Sequence, residues 1–169
     1  MTQRFYTIGY EGLTIERFLS ALSQLNISTL VDVRDRAQSR KKGFSKTLLS
    51  RALADRGIGY VHLKSLGDPK AGREAARAGR MAEFKDIFQE VMGTVAAQNG
   101  LAQMLEIGST GQACLLCYER DAELCHRSIV LSVASRSVEL IQVDILVGED
   151  DIVTQTQRFL PDSIQSIAA

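Results

Sequence analysis

The chain has 169 residues, with 20 lysines and arginines against 20 aspartates and glutamates and only two histidines. That length fits one domain, and a hydrophobic content of 45% is enough for a sizeable core. A net charge of zero excludes a generally polycationic nucleic-acid binder but leaves room for a local basic patch, and no apolar run reaches the roughly 18 residues of a membrane span.

Met1-Thr2-Gln3-Arg4-Phe5 runs into a strand-like segment rather than a secretory leader, and the chain carries three cysteines. Free thiols in a reducing, cytoplasmic setting are the expectation, with no membrane association. Arg4 to Tyr10 is rich in aromatic and β-branched residues and stops at Glu11-Gly12, which predicts a first strand. Thr14 is placed to cap a helix with Ile15, Phe18, Leu19, Leu22 and Leu25 on one face. Ser28 to Val33 reads as a buried second strand, and the polar, basic segment from Asp35 to Phe44 as a loop. Ser45 is the expected N-cap of a second helix closed by Gly57.

Gly59 to Leu63 makes a third strand. One long helical region is expected from about Gly72 to Thr94, then a short helix containing Leu101 and Leu105. Ala113 to Tyr118 is almost wholly apolar, the mark of a central strand. A helix from Cys125 to Ser135 and a strand from Glu139 to Ile145 complete the pattern, and the tail from about 150 to 169 is too weakly patterned to assign. Alternation of strands and helices predicts right-handed βαβ crossovers. The expected fold is therefore a single-domain α/β three-layer sandwich spanning 1–169, with a mostly parallel sheet of about five strands and helices on both faces.

In such a sheet, ligands bind outside the carboxyl ends of the strands. Those ends carry Tyr10 and Glu11 on the first strand, Asp32 and Arg34 on the second, His62 on the third, and Cys117 and Glu119 on the fourth. Asp32 sits in an apolar run, where a carboxylate is costly unless paired, and Arg34 is its same-face neighbour. The pair is either a structural brace or a site in which Asp32 orients Arg34 toward an anion or acts in proton transfer. The loop that follows, with Arg36, Arg40, Lys41 and Lys42, precedes a helix N-terminus. It is either a solvated charge run or a contact for phosphate or a nucleic-acid backbone.

Cys117 to Arg127 is the segment densest in reactive residue types. Cys114 and Cys117 are three apart in one strand and point to opposite faces, which argues against a thioredoxin-like dithiol. Cys125 opens a helix, where the dipole favours thiolate, with His126 and Arg127 beside it. The alternative is a small buried hydrophobe, which is the expectation for Cys114. Phosphatase-type C-x5-R spacing is absent, because Glu123 and Leu131 occupy those places. A zinc site from Cys117, Cys125, His126 and His62 can be drawn, but C-x7-C-H matches no common ligand spacing, so no metal is assigned.

Thr7-Ile8-Gly9-Tyr10, Leu30-Val31-Asp32-Val33-Arg34, Ser39-Arg40 with Gly43-Phe44, Gly57 to Leu63 with Leu66-Gly67, Leu115 to Glu119 and Cys125-His126-Arg127 follow one another in order. This set resembles the domain of unknown function 488 family from Phe5 to about Val147. Ala37 stands where the family often has proline, and Asp144 where its last strand often carries histidine. The resemblance implies a single α/β domain with signature residues gathered at one rim, and no particular reaction.

Three functions follow from these residues. The first is an enzyme or enzyme-like pocket for a phosphate-bearing or nucleotide-like ligand. Its expected catalytic groups are Asp32, His62, Cys117, Glu119, Cys125 and His126, and its ligand-binding groups Tyr10, Glu11, Arg34, Arg40 and Arg127. The second is a nucleic-acid backbone-binding module using the basic loop 34–46. The third is a catalytically silent interaction or metal-binding protein. No cofactor is assigned, and the expected partner is an anionic small molecule or nucleic acid.

Overall fold

A computed structural model describes residues 2–161. The first strand, β1 (Gln3–Gly9), alternates its side chains between two cores: Phe5 enters one, Tyr6 and Ile8 the other. Helix α1 (Ile15–Gln24) follows, and the Thr14 hydroxyl accepts from the Arg17 amide as its cap. β2 (Thr29–Asp32), α2 (Lys46–Ala54) and β3 (Gly59–His62) come next. Ser45 occupies the N-cap position of α2, yet its hydroxyl accepts from the Ser39 amide and donates to the Ser39 carbonyl, closing the basic loop instead.

The single long helix expected from Gly72 to Thr94 is two helices, α3 (Lys70–Arg77) and α4 (Met81–Met92). Gly79 has φ of 78°, a conformation that stops α3 and turns the chain back, with the Arg80 amide donating to the Ala75 carbonyl. The next helix, expected to be short, is α5 (Val95–Thr110) with 16 residues; Thr94 caps it through the Ala97 amide. β4 (Ala113–Cys117), α6 (His126–Ala134) and β5 (Leu140–Val147) follow. A sixth strand, β6 (Val153–Leu160), lies in the segment whose sequence pattern assigned nothing.

The sheet order is β3-β2-β4-β1-β5-β6. All pairings are parallel except that of β5 with β6. β4 is inserted between β1 and β2, so it is flanked on both edges and every one of its residues is buried. Helices α1 and α2 cover one face through Phe18, Leu22, Leu49 and Leu53. Helices α3 to α6 cover the other through Ala75, Phe84, Phe88, Leu101, Met104, Val130 and Leu131. The architecture is a three-layer α/β sandwich. Among the described residues, no helix is long and apolar enough to cross a membrane.

This order places the carboxyl ends of β1, β2 and β4 side by side. Beyond Gly9 the ladder continues, as the Tyr10 amide donates to the Cys117 carbonyl at 3.2 Å and the Glu11 amide to the Tyr118 carbonyl at 2.9 Å. Gly9 makes the approach possible, since a Cβ there would fall 1.7 Å from the Glu119 carbonyl oxygen.

Candidate functional site

β2 delivers Asp32 into the core with no exposed surface, and its carboxylate is fully occupied. Oδ1 accepts from the Arg34 amide at 3.1 Å and from Nε at 2.9 Å; Oδ2 accepts from the Arg34 guanidinium at 2.7 Å and from the Tyr60 hydroxyl at 2.5 Å. Arg34 also donates through Nη1 to the Phe44 carbonyl at 2.8 Å. Its guanidinium lies 5.5 Å from the centre of the Tyr10 ring, which stacks on Phe44 at 4.5 Å. Three of the five guanidinium N–H donors are thus committed, and two remain. Burial works against the Arg34 charge, but the hydrogen bonds and charge of Asp32 outweigh it and hold the guanidinium more firmly protonated than usual. Burial and the neighbouring carboxylate push the Tyr60 hydroxyl well above its ordinary range.

On the opposite face, β4 ends at Cys117 and α6 begins one residue after Cys125. His126 Nε2 donates to the Val33 carbonyl at 2.7 Å, so its Nδ1 faces the two sulfurs, 3.5 Å from Cys117 Sγ and 3.7 Å from Cys125 Sγ. Phe88 packs edge-on against the imidazole at 5.1 Å. Cys117 Sγ donates to Glu119 Oε2 at 3.2 Å. Arg127, 1% exposed, donates to the Glu119 carbonyl at 2.6 Å, while its Nε has no partner.

These groups divide their protons unequally. Burial opposes ionisation of Cys125, but hydrogen bonding from Cys117 and the charges of Arg127 and His126 prevail, so its thiol lies below the usual range. The hydrogen bond to Cys125, then burial, pushes Cys117 up. Burial disfavours the imidazolium of His126, and the Cys125 charge more than restores it. Burial, then the Cys125 charge, raises Glu119.

The two sets meet at a cleft of about 1140 Å³ over the strand ends. Of the residues singled out from the sequence, Tyr10, Arg34, Arg40, Cys117, Glu119 and His126 line it. Cys125 lies just beneath, 2% exposed. Asp32 supports Arg34 from behind, and Arg127 supports the backbone at Glu119. Glu11 accepts from the Arg120 amide instead. His62 shares its hydrogen bond with the Arg34 carbonyl at 2.7 Å and faces a second hollow of about 820 Å³.

Several contributors escaped the sequence reading. Tyr60 could have been found by strand parity, since it is two residues before His62 and in register beside Leu30. Asp68, 6% exposed and with an unpartnered Oδ1, enters from the turn before α3; burial pushes its carboxyl up to about 6. Lys70, Arg73 and Arg77 join from α3. Altogether seven cationic side chains face four acidic ones in the cleft.

The family model for the domain of unknown function DUF488 matches residues 14–134. The chain belongs to the DUF488 family. A search of the curated proteins finds no match. Within the matched DUF488 region lie Asp32, Arg34, Arg40, Cys117, Glu119 and the Cys125-His126-Arg127 run. Asp144 lies outside it and is tied into the sheet, accepting from Thr7 at 2.6 Å and pairing with Arg158 of β6 at 2.9 Å.

Proposed function

We propose that this DUF488 chain is an enzyme whose cleft takes a phosphate-bearing or nucleotide-like ligand. The observation that carries the reading is one guanidinium, Arg34, held rigidly by Asp32 with donors to spare, beside a buried cluster of thiols, imidazole and carboxyl in the same cleft. A preoriented guanidinium is suited to two-point recognition of phosphate. Arg40 and the cations of α3 add to the attraction, and the exposed Tyr118, edge-on to Tyr10, offers aromatic surface to a base or sugar.

In this reading Arg34 and Arg40 bind the anion and Asp32 and Tyr60 hold Arg34 in place. Glu119, whose burial favours its protonated form, is the proton donor, beside the cluster of Cys117, Cys125 and His126. A nucleic-acid backbone is the second reading, favoured by the basic loop that forms one wall of an open cleft.

Thermal unfolding in phosphate, a phosphomonoester and a nucleoside monophosphate tests the proposal. A ligand that binds only the folded chain adds about 2.7 kcal/mol at a hundredfold excess over Kd. Arg40→Ala and Arg34→Lys, which keeps a cation beside Asp32, should lose most of that gain. Cys117→Ser should abolish turnover of any phosphate ester the wild type consumes. Equal stabilisation of all variants, or none of the wild type, refutes the cleft as the anion site; preference for oligonucleotides over mononucleotides selects the second reading.

A further inference from the structure

The sulfur–nitrogen distances around His126 match a tetrahedral metal shell. Zinc–sulfur bonds of about 2.3 Å and zinc–nitrogen bonds of about 2.0–2.1 Å at tetrahedral angles put the two ligand atoms about 3.5–3.6 Å apart. His126 Nδ1 lies 3.5 Å from Cys117 Sγ and 3.7 Å from Cys125 Sγ, and all three donor atoms fall within 4.8 Å of one another. We propose that Cys117, Cys125 and His126 form a binding site for a thiophilic divalent cation such as zinc, with its fourth position open to the cleft.

The arrangement around the three donors supports the assignment. Ligating histidines usually donate their second ring nitrogen to a carbonyl or carboxylate, which fixes the tautomer and aims the free nitrogen. His126 does so through Nε2 to the Val33 carbonyl at 2.7 Å, with Phe88 against the ring. The donors come from fixed positions: Cys117 is the last residue of β4, Cys125 the N-cap of α6 and His126 its first residue. Arg127, the next residue after His126, is buried with an unpartnered Nε, an uncommitted donor at the site.

Cys117 and His126 reach the cleft while Cys125 does not, so the vacant side of the tetrahedron faces the ligand space. Glu119, with Oε2 3.2 Å from Cys117 Sγ, stands beside that position as a partner for a bound water. Three protein ligands and one open position are the pattern of catalytic rather than structural zinc. The C-x7-C-H spacing hides the site because the intervening loop, with its one-turn 3-10 helix at Ala122–Leu124, folds both cysteines onto one imidazole. His62, the fourth ligand drawn from the sequence, is bound to the Arg34 carbonyl and takes no part.

The assignment does not depend on which ligand the cleft takes. The test is titration of the reduced, chelator-treated full chain with Co²⁺ and Zn²⁺. One equivalent of Co²⁺ should produce thiolate-to-metal absorption and the intense visible bands of a tetrahedral site, and one equivalent of Zn²⁺ should displace it. Cys117→Ser and Cys125→Ser should each weaken binding at least tenfold, while Cys114→Ala should titrate like the wild type. In the wild type, Zn²⁺ should protect two of the three thiols from alkylation, a measurement that holds even where a variant fails to fold. Absence of the thiolate band in the wild type, or alkylation of all three thiols at the same rate with and without Zn²⁺, overturns the proposal.

Discussion

Replacing Asp32 by alanine removes the acceptor of four hydrogen bonds at once. Arg34 is 6% exposed, so its charge is left buried and unpaired. Breaking a buried ion pair from one side costs about 3–5 kcal/mol, and the orphaned Tyr60 hydroxyl adds about 1 kcal/mol. Against a typical stability of about 5–15 kcal/mol, the Asp32→Ala variant should lose about a quarter or more of its margin. Tyr60→Phe removes a single bond to a charged group, worth about 1.5 kcal/mol at this half-buried position. The double variant Asp32→Leu with Arg34→Met removes both charges and should recover much of the loss, because desolvation offsets most of what a buried pair contributes. Urea unfolding at neutral pH measures all three. A loss below about 1 kcal/mol in Asp32→Ala, or a double variant no more stable than Asp32→Ala, would refute the view that Asp32 is held by the charge of Arg34.

Asp68, held near 6 instead of 3.8, makes its own ionisation a cost to the folded state. The native carboxyl binds its proton more tightly than the unfolded one, so this contribution is favourable at low pH and is lost as pH rises through about 6. Asp68→Asn should therefore gain on the order of 1–3 kcal/mol over wild type at pH 7.5 and little at pH 4; a gain independent of pH sinks the argument. Gly9→Ala drives a Cβ into the Glu119 carbonyl and should cost about 2 kcal/mol or more, with loss of phosphate-induced stabilisation, read by thermal unfolding with and without ligand. Phe88→Ala opens a void against His126 and should cost about 3–5 kcal/mol. Cys114, buried in the core with its thiol pushed up, should resist alkylation until the chain unfolds, as mass spectrometry of the native protein would report.

Where one physical signal dominated, the sequence was legible. β4 reads as a central strand because its five residues, Ala113 to Cys117, are all apolar, and all five are buried; α1 reads as a helix because Thr14 and the Phe18-Leu22 face agree. Residues at the strand ends followed from parity: Asp32 and Arg34 pair on one face, and Cys117 parts from Cys114 across the sheet. The failures have equally specific causes. The helical period of Met81, Phe84 and Phe88 belongs to α4 alone; the Ala-rich segment before it is helical too, and only the positive φ of Gly79 separates the two. β6 is mostly exposed and its polar residues carry no alternating pattern, so only its partner β5 defines it. The joining of Cys125 to Cys117 and the entry of Asp68 and Arg73 depend on how loops fold back over the rim, which no period records.

The insertion of β4 between β1 and β2 bears on how the molecule forms as well as on where its cleft lies. The first two strands never touch each other in the sheet; each waits for a segment that begins at Ala113. A nascent chain that has emerged only as far as β3 therefore holds both halves of the cleft wall without the strand that lies between them. Closing those long loops makes folding slow relative to a helical bundle of the same size. The same join binds function to global stability: any opening that releases β4 frees Cys117 and both neighbouring strand ends together. Amide exchange at Leu115 and Leu116 should accordingly match the slowest in the protein.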